Sequence, residues 1–193
     1  MSQNNKRSAI ERTDLHLAHK VALDQESILG RATARLGELG DQPPLLALSA
    51  GVVATGMVRH DERLARVGLR MIAAHSLATM GKLFVKDLVD RTRPGALNEK
   101  PYKMEKGSSR DGRLRSMPSG HSAGSSAIAG AVAPDFPGAA VPVARAASVI
   151  AAAQPASRNH YVSDVIAGVA IGIAVSFVAR LLVPPFDEIE QPT

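Results

Sequence analysis

The chain has 193 residues, a net charge of +5, and neither cysteine nor tryptophan. Disulfides and thiolate metal sites are therefore excluded. With aromatic residues at 3%, any core must be built from Ala, Val, Leu and Ile, which favours closely packed helices over a strand sandwich. The basic balance suits an anionic partner.

The length suits one compact domain over residues 1–193. Residues 1–8 are polar and read as a disordered tail, with no apolar stretch after them that would make a cleavable signal. From about Asp14 to Leu29 the apolar residues Leu15, Ala18, Ala22 and Leu29 recur loosely at helical spacing. This predicts an N-terminal amphipathic helix, lying either on a membrane surface or on a soluble core.

Pro43 and Pro44 open an apolar run from Leu45 to Val58, and a longer helical stretch follows from about Leu64 to Val85. A basic loop occupies roughly 92–118. From Lys86 to Pro118 there are nine Lys or Arg against five Asp or Glu, with Tyr102 as the one aromatic residue. Bases would have little to stack on, which speaks against nucleic acid. The cations of 100–115 either gather anionic substrate or lipid head groups or are simply solvated. Small apolar residues then run from Ser122 to Ala133. A Pro134–Gly138 turn follows, then a second run from Ala139 to Ala153, and last the longest apolar stretch, Tyr161 to Val183. The expected fold is all-α: a bundle of about five core helices, membrane-embedded, without strands. Only 161–183 clearly has the roughly 20 apolar residues a span requires.

Three clusters carry chemical potential. Lys86 and Arg93, followed by Pro94, sit where a helix meets the basic loop. A lysine point charge and an arginine fork together can hold several oxygens of one phosphate. Pro118-Ser119-Gly120-His121 precedes a helix. Ser119 suits its N-cap, Gly120 lets backbone approach a ligand, and His121 stands at an anion-attracting helix start. His160 and Asp164 are four residues apart, so one helix face would carry both. A carboxylate on one ring nitrogen leaves the other as nucleophile. Each cluster alone is also an ordinary charged or capped helix end. Together they supply cations, backbone donors, a general acid and a nucleophile. Two intervening helical runs would return the chain so that all three meet on one face.

In these motifs the sequence resembles the type 2 phosphatidic acid phosphatase family, within the superfamily that includes the vanadium haloperoxidases. K-x6-R-P is met by Lys86, Arg93 and Pro94, and P-S-G-H by residues 118–121. S-R-x5-H-x3-D is met only in its second half, by His160 and Asp164. Gln154 stands where the family's Arg would be, and Arg158 lies two residues before His160. The third cation expected from the resemblance is Arg158, or else Gln154 takes the place with neutral hydrogen bonds.

The resemblance implies metal-independent hydrolysis of a lipid phosphate or diphosphate through a phosphohistidine, with no cofactor. His160 would be the nucleophile, Asp164 its partner and His121 the general acid. Lys86, Arg93, Ser119, Gly120 and Arg158 would hold the phosphate. It also implies membrane lipid as a partner and a multi-pass location of the bacterial inner-membrane type. Rival readings are an inactive phospholipid-binding or transport-related protein and a vanadate-dependent haloperoxidase. Outside the clusters, Lys82 lies one turn before Lys86 and either shares its face or, as the favoured reading, snorkels; His75 reads as a satisfied core or interface residue, and His16, His19 and His60 as surface residues.

Overall fold

A computed structural model describes residues 7–186. Helix α1 (Ala9–Val21) opens on a capping box. The Ser8 hydroxyl accepts from the Glu11 N–H, and the Glu11 carboxylate accepts from Ser8 N at 2.8 Å. Ser8 is thus a helix cap and not part of a tail; residues 1–6 of the expected tail lie outside the described residues.

The single helix expected over 14–29 is two. Between Asp24 and Ser27 the chain forms a turn in which Asp24 accepts from Glu26 N and from the Ser27 N–H. Local bonds of this kind compete with the helical ladder. Helix α2 (Ile28–Glu38) then starts on the Ser27 cap.

The five apolar runs form the expected bundle: α3 (Gln42–Val58), α4 (Glu62–Lys86), α5 (Gly120–Val132), α6 (Pro137–Ala156) and α7 (Val162–Leu182). Helix α5 lies at its centre, against α4, α6 and α7. Its buried residues are nearly all small: Ser122, Ala123, Gly124, Ser125, Ala127, Ile128 and Ala131. Helix α7 approaches it through two glycines. A Cβ on Gly168 or Gly172 would stand 2.4 Å from the carbonyl oxygen of Ser119 or Ala123. Only the missing side chain permits that approach. The core continues through Leu45, Val67, Met71, Ala74 and Ala78 to Ala179.

The sequence suggested no strand, yet the basic loop contains two: β1 (Val89–Arg91) and β2 (Met104–Lys106), antiparallel, with Asp90 opposite Glu105. Three residues are too few to display a period-2 pattern. Two 3-10 turns, Pro94–Ala96 and Gly112–Leu114, fold the rest of the loop over one end of the bundle.

The opposite end is closed by Arg70 of α4. Its buried guanidinium pairs with Asp135 and donates to the carbonyls of Ala131, Val183 and Pro184 at 3.0, 2.7 and 3.0 Å. One side chain thereby joins α4, the α5–α6 turn and the end of α7.

Among the described residues, α7 alone is long and apolar enough to cross a membrane, with a mean hydropathy of 2.3. Its outer face is bare: Ile166, Phe177 and Leu181 are 64%, 63% and 80% exposed. Met80 and Phe84 of α4 and Val58 of α3 are likewise exposed.

Candidate active site

The three sequence clusters converge at the end of the bundle covered by the basic loop. Lys86 closes α4, Arg93 precedes the first 3-10 turn, His121 sits in the first turn of α5, and His160 ends the α6–α7 loop. Ser119 caps α5, its hydroxyl accepting from Ser122 N at 3.3 Å. The peptide bond before Pro118 is cis.

A cavity of about 120 Å³ opens among these residues. At about 30 Å³ per water it has room for a group of a few heavy atoms. Its walls carry Lys86, Arg93, Gly120, His121 and His160, joined by Asp41, His75 and Lys82. The imidazoles of His121 and His160 meet edge to face, with ring centroids 6.2 Å apart and planes at 65°.

His160 is almost fully buried. Its Nδ1 lies 2.6 Å from the carbonyl oxygen of Ser116. A carbonyl can only accept, so Nδ1 carries the proton and Nε2 of the neutral ring presents its lone pair. Arg93 Nη1 stands 3.5 Å from that Nε2. Burial, with Arg93 and Lys86 adding to it, pushes the His160 pKa down to about 4, while Asp164 pulls the other way. The ring is therefore neutral at neutral pH.

The direct His160–Asp164 hydrogen bond expected from the sequence is not made. Asp164 Oδ2 is 3.8 Å from His160 Nδ1. The i, i+4 argument assumed both residues within one helix, but α7 starts only at Val162. Asp164 instead binds the Ser116 hydroxyl (2.5 Å), Tyr161 N (2.9 Å) and Arg91 Nη1 (2.6 Å). It thus fixes the residue whose carbonyl holds His160. Arg91 is fully buried and shared with Asp14 of α1, 2.7 Å away. Burial alone would lower its pKa, but Asp164 and Asp14 raise it, so it stays charged.

The cations are arranged unequally. Lys86 Nζ donates to Arg115 O at 2.6 Å. Arg93 donates to Gly112 O at 2.8 Å and Asn159 O at 3.1 Å, which aims its fork into the cavity. Arg158 does not line the cavity; it is exposed and has a left-handed backbone (φ 57°). Its carbonyl accepts from Gly95 N at 2.9 Å, tying the Arg93–Gly95 segment to the loop before His160. Gln154 is also turned away. It is fully buried against Gly37 and donates to Ile150 O at 3.2 Å. Ser119 is buried behind the cavity wall.

Sequence reasoning passed over several residues here. Arg91, Ser116, Asp14 and Asp41 carry no motif, and of the two readings of Lys82 the structure bears out the shared face with Lys86 over the favoured snorkelling. The i, i+4 spacing of Lys82 and Lys86 was the available signal for Lys82. His75, expected to be satisfied, is buried at the cavity with neither ring nitrogen hydrogen-bonded. His16, His19 and His60 are exposed, as expected. A larger groove of about 870 Å³ runs along α5, α6 and α7, lined mostly by small apolar residues, with Arg180 as its one charged residue. The titratable groups gather in the smaller cavity.

A family profile described as the PAP2 superfamily matches residues 66–187. The chain belongs to the PAP2 superfamily. With that membership the expectation of a phosphatase-class enzyme is met. Two solved structures share the fold. One is described as the first transmembrane PAP2 type phosphatidylglycerolphosphate phosphatase from Bacillus subtilis. It is 19% identical, with a TM-score of 0.70, over 96% of this chain and 90% of that one. The other, Aquifex aeolicus LpxE, is 20% identical, with a TM-score of 0.59, over 86% of this chain and 93% of that one. A comparison with curated proteins found no match. This PAP2 member thus keeps Lys86, Arg93, Gly120, His121 and His160 around one cavity and has Gln154 outside it.

Proposed function

We propose that this PAP2 member hydrolyses a lipid phosphate or diphosphate without a metal, through a phosphohistidine on His160. The observation that carries the reading is the fixed tautomer of His160, whose unprotonated Nε2 is turned toward Arg93 and the cavity. The His160 lone pair forms the N–P bond as the P–O bond to the lipid breaks. Lys86, Arg93 and the Gly120 N–H hold the non-bridging oxygens, and His121 protonates the leaving oxygen. His121 then takes a proton from water, which attacks phosphorus, releases phosphate and restores His160. Phosphoryl transfer needs positioning and charge neutralisation above all, and the lysine and arginine cations supply the second.

A lipid substrate is supported by the exposed apolar faces of α3, α4 and α7. Helices α6 and α7, at 20 and 21 residues, are each about 30 Å long, which matches a bilayer core. A multi-pass membrane protein with its chemistry at one end of the bundle accounts for both features. The likeness to the transmembrane Bacillus subtilis phosphatase supports the same placement.

The test is phosphate release from a panel of lipid phosphates and diphosphates by detergent-solubilised protein in EDTA, beside His160→Ala. Release in EDTA that disappears in the variant is the expected result, with acid-labile phosphate trapped on the wild-type chain. Release that requires a divalent metal, or that survives His160→Ala, would refute the mechanism.

A further inference from the structure

We propose that Lys82 is a third cation that holds the phosphate in this cavity. The proposal rests on the phosphatase reading for its consequence in catalysis, but not for its prediction of anion binding. Lys82 stands one helical turn before Lys86 and lines the same cavity as Arg93, His121 and His160. Its end lies against the start of α5: a Cβ built on Gly120 would meet Lys82 Cδ at 3.0 Å and Nζ at 3.1 Å. The ammonium therefore sits where the first free N–H groups of α5 collect. Two centres of positive potential face one another there, and an anion with several oxygens satisfies both.

The three cations differ in what already occupies them. Lys86 donates to Arg115 O, and Arg93 to Gly112 O and Asn159 O. Among the described residues the Lys82 ammonium makes no hydrogen bond or ion pair. All three of its donors remain for a ligand. Asp41, the carboxylate that acts on it, is bonded to His121 Nε2 at 2.7 Å. His75 is 2% exposed and lines the same cavity with both ring nitrogens unpartnered. Buried polar atoms of this kind call for a partner, and a bound anion or the water it brings into the cavity supplies one. The residues that the family resemblance offered at the third cation's place, Arg158 or the neutral Gln154, both lie outside the cavity. Lys82 lies inside it.

The experiment is calorimetric titration of inorganic phosphate into the full detergent-solubilised chain, for wild type, Lys82→Met, Lys82→Gln and Lys82→Arg. Lys106→Met, on exposed β2, serves as a matched charge control. Hydrolysis of a lipid phosphate and thermal unfolding are measured on the same samples. Lys82→Met and Lys82→Gln are expected to weaken phosphate binding about 10- to 100-fold, the range for a lost charge-assisted bond, with the melting temperature unchanged. Lys82→Arg should recover most of the binding, and Lys106→Met should match wild type. Wild-type phosphate affinity in both neutral variants would overturn the proposal, and so would a wild-type chain that binds no phosphate. Hydrolysis with unchanged phosphate binding in Lys82→Met would remove Lys82 alone. Weakened binding in a chain that hydrolyses nothing would remove the phosphatase reading and leave Lys82 in place.

Discussion

Asp41 Oδ1 lies 2.7 Å from His121 Nε2, joining the N-cap of α3 to the first turn of α5. Burial, with Arg93 and Lys82 adding to it, lowers the His121 pKa; Asp41 opposes that shift, favouring the doubly protonated ring that can give up a proton, and fixes its orientation. General acids contribute about 100- to 10,000-fold, and chiefly where the leaving group is poor. His121→Ala should therefore cripple turnover of an alkyl phosphate far more than that of p-nitrophenyl phosphate. Asp41→Asn should show the same selectivity at a loss on the order of tenfold, well inside that range. Equal losses on both substrates would show that neither residue serves proton transfer.

The lowered pKa of His160 makes a prediction about acid. The neutral His160 ring persists down to about pH 4. The acid limb of kcat/KM should thus fall near pH 4 to 5 and not at the ordinary histidine value of about 6.5. The sign for stability follows from the same shift. Between about 6.5 and 4 the unfolded chain takes up a proton that the folded chain refuses, so stability declines as pH falls through that window. A pH–rate profile and unfolding midpoints at several pH values check both statements. An acid limb centred at 6.5 would contradict the buried neutral ring.

Asp14 and Asp164 share one guanidinium, that of Arg91. Removing either leaves a buried charge short of a partner, which costs about 3–5 kcal/mol. Removing both leaves the buried guanidinium with neither carboxylate, so the double variant should depart from the sum of the two singles. A double-mutant cycle with Asp14→Ala and Asp164→Ala, read by unfolding, measures this coupling. Strict additivity would mean that Arg91 does not link them.

At the other end of the bundle, Asp135→Ala strips Arg70 of its buried carboxylate. A loss of about 3–5 kcal/mol is expected, with kcat/KM unchanged in the surviving folded protein. An active-site defect without lost stability would refute the assignment of this pair to fold alone.

The bundle was legible because its signals are long: runs such as Leu45–Val58 and Tyr161–Val183 became α3 and α7 nearly end to end. The break at Asp24–Ser27 and the Ser8 cap were harder, since each depends on one or two side-chain bonds that a loose apolar period does not register. Of the site, the three motifs indicated which residues meet, because each lies at a helix end. What holds them was not readable. The Ser116 carbonyl is a backbone group with no side-chain signature, and Arg91 finds its partners 77 and 73 residues away in sequence. For Lys82 the spacing to Lys86 offered a shared helix face but could not exclude snorkelling. Its meaning comes from Gly120, a contact that only the packing of α5 on α4 creates.

The span from Asp14 to Asp164 also bears on when the enzyme can begin to work. Synthesis delivers α1 before Arg91 and α7 after it, so Arg91 waits with one carboxylate until α7 is in place. Ser116 and the imidazole it orients wait with it. The anchor of the His160 imidazole is therefore complete only once α1 and α7 have both met a single arginine.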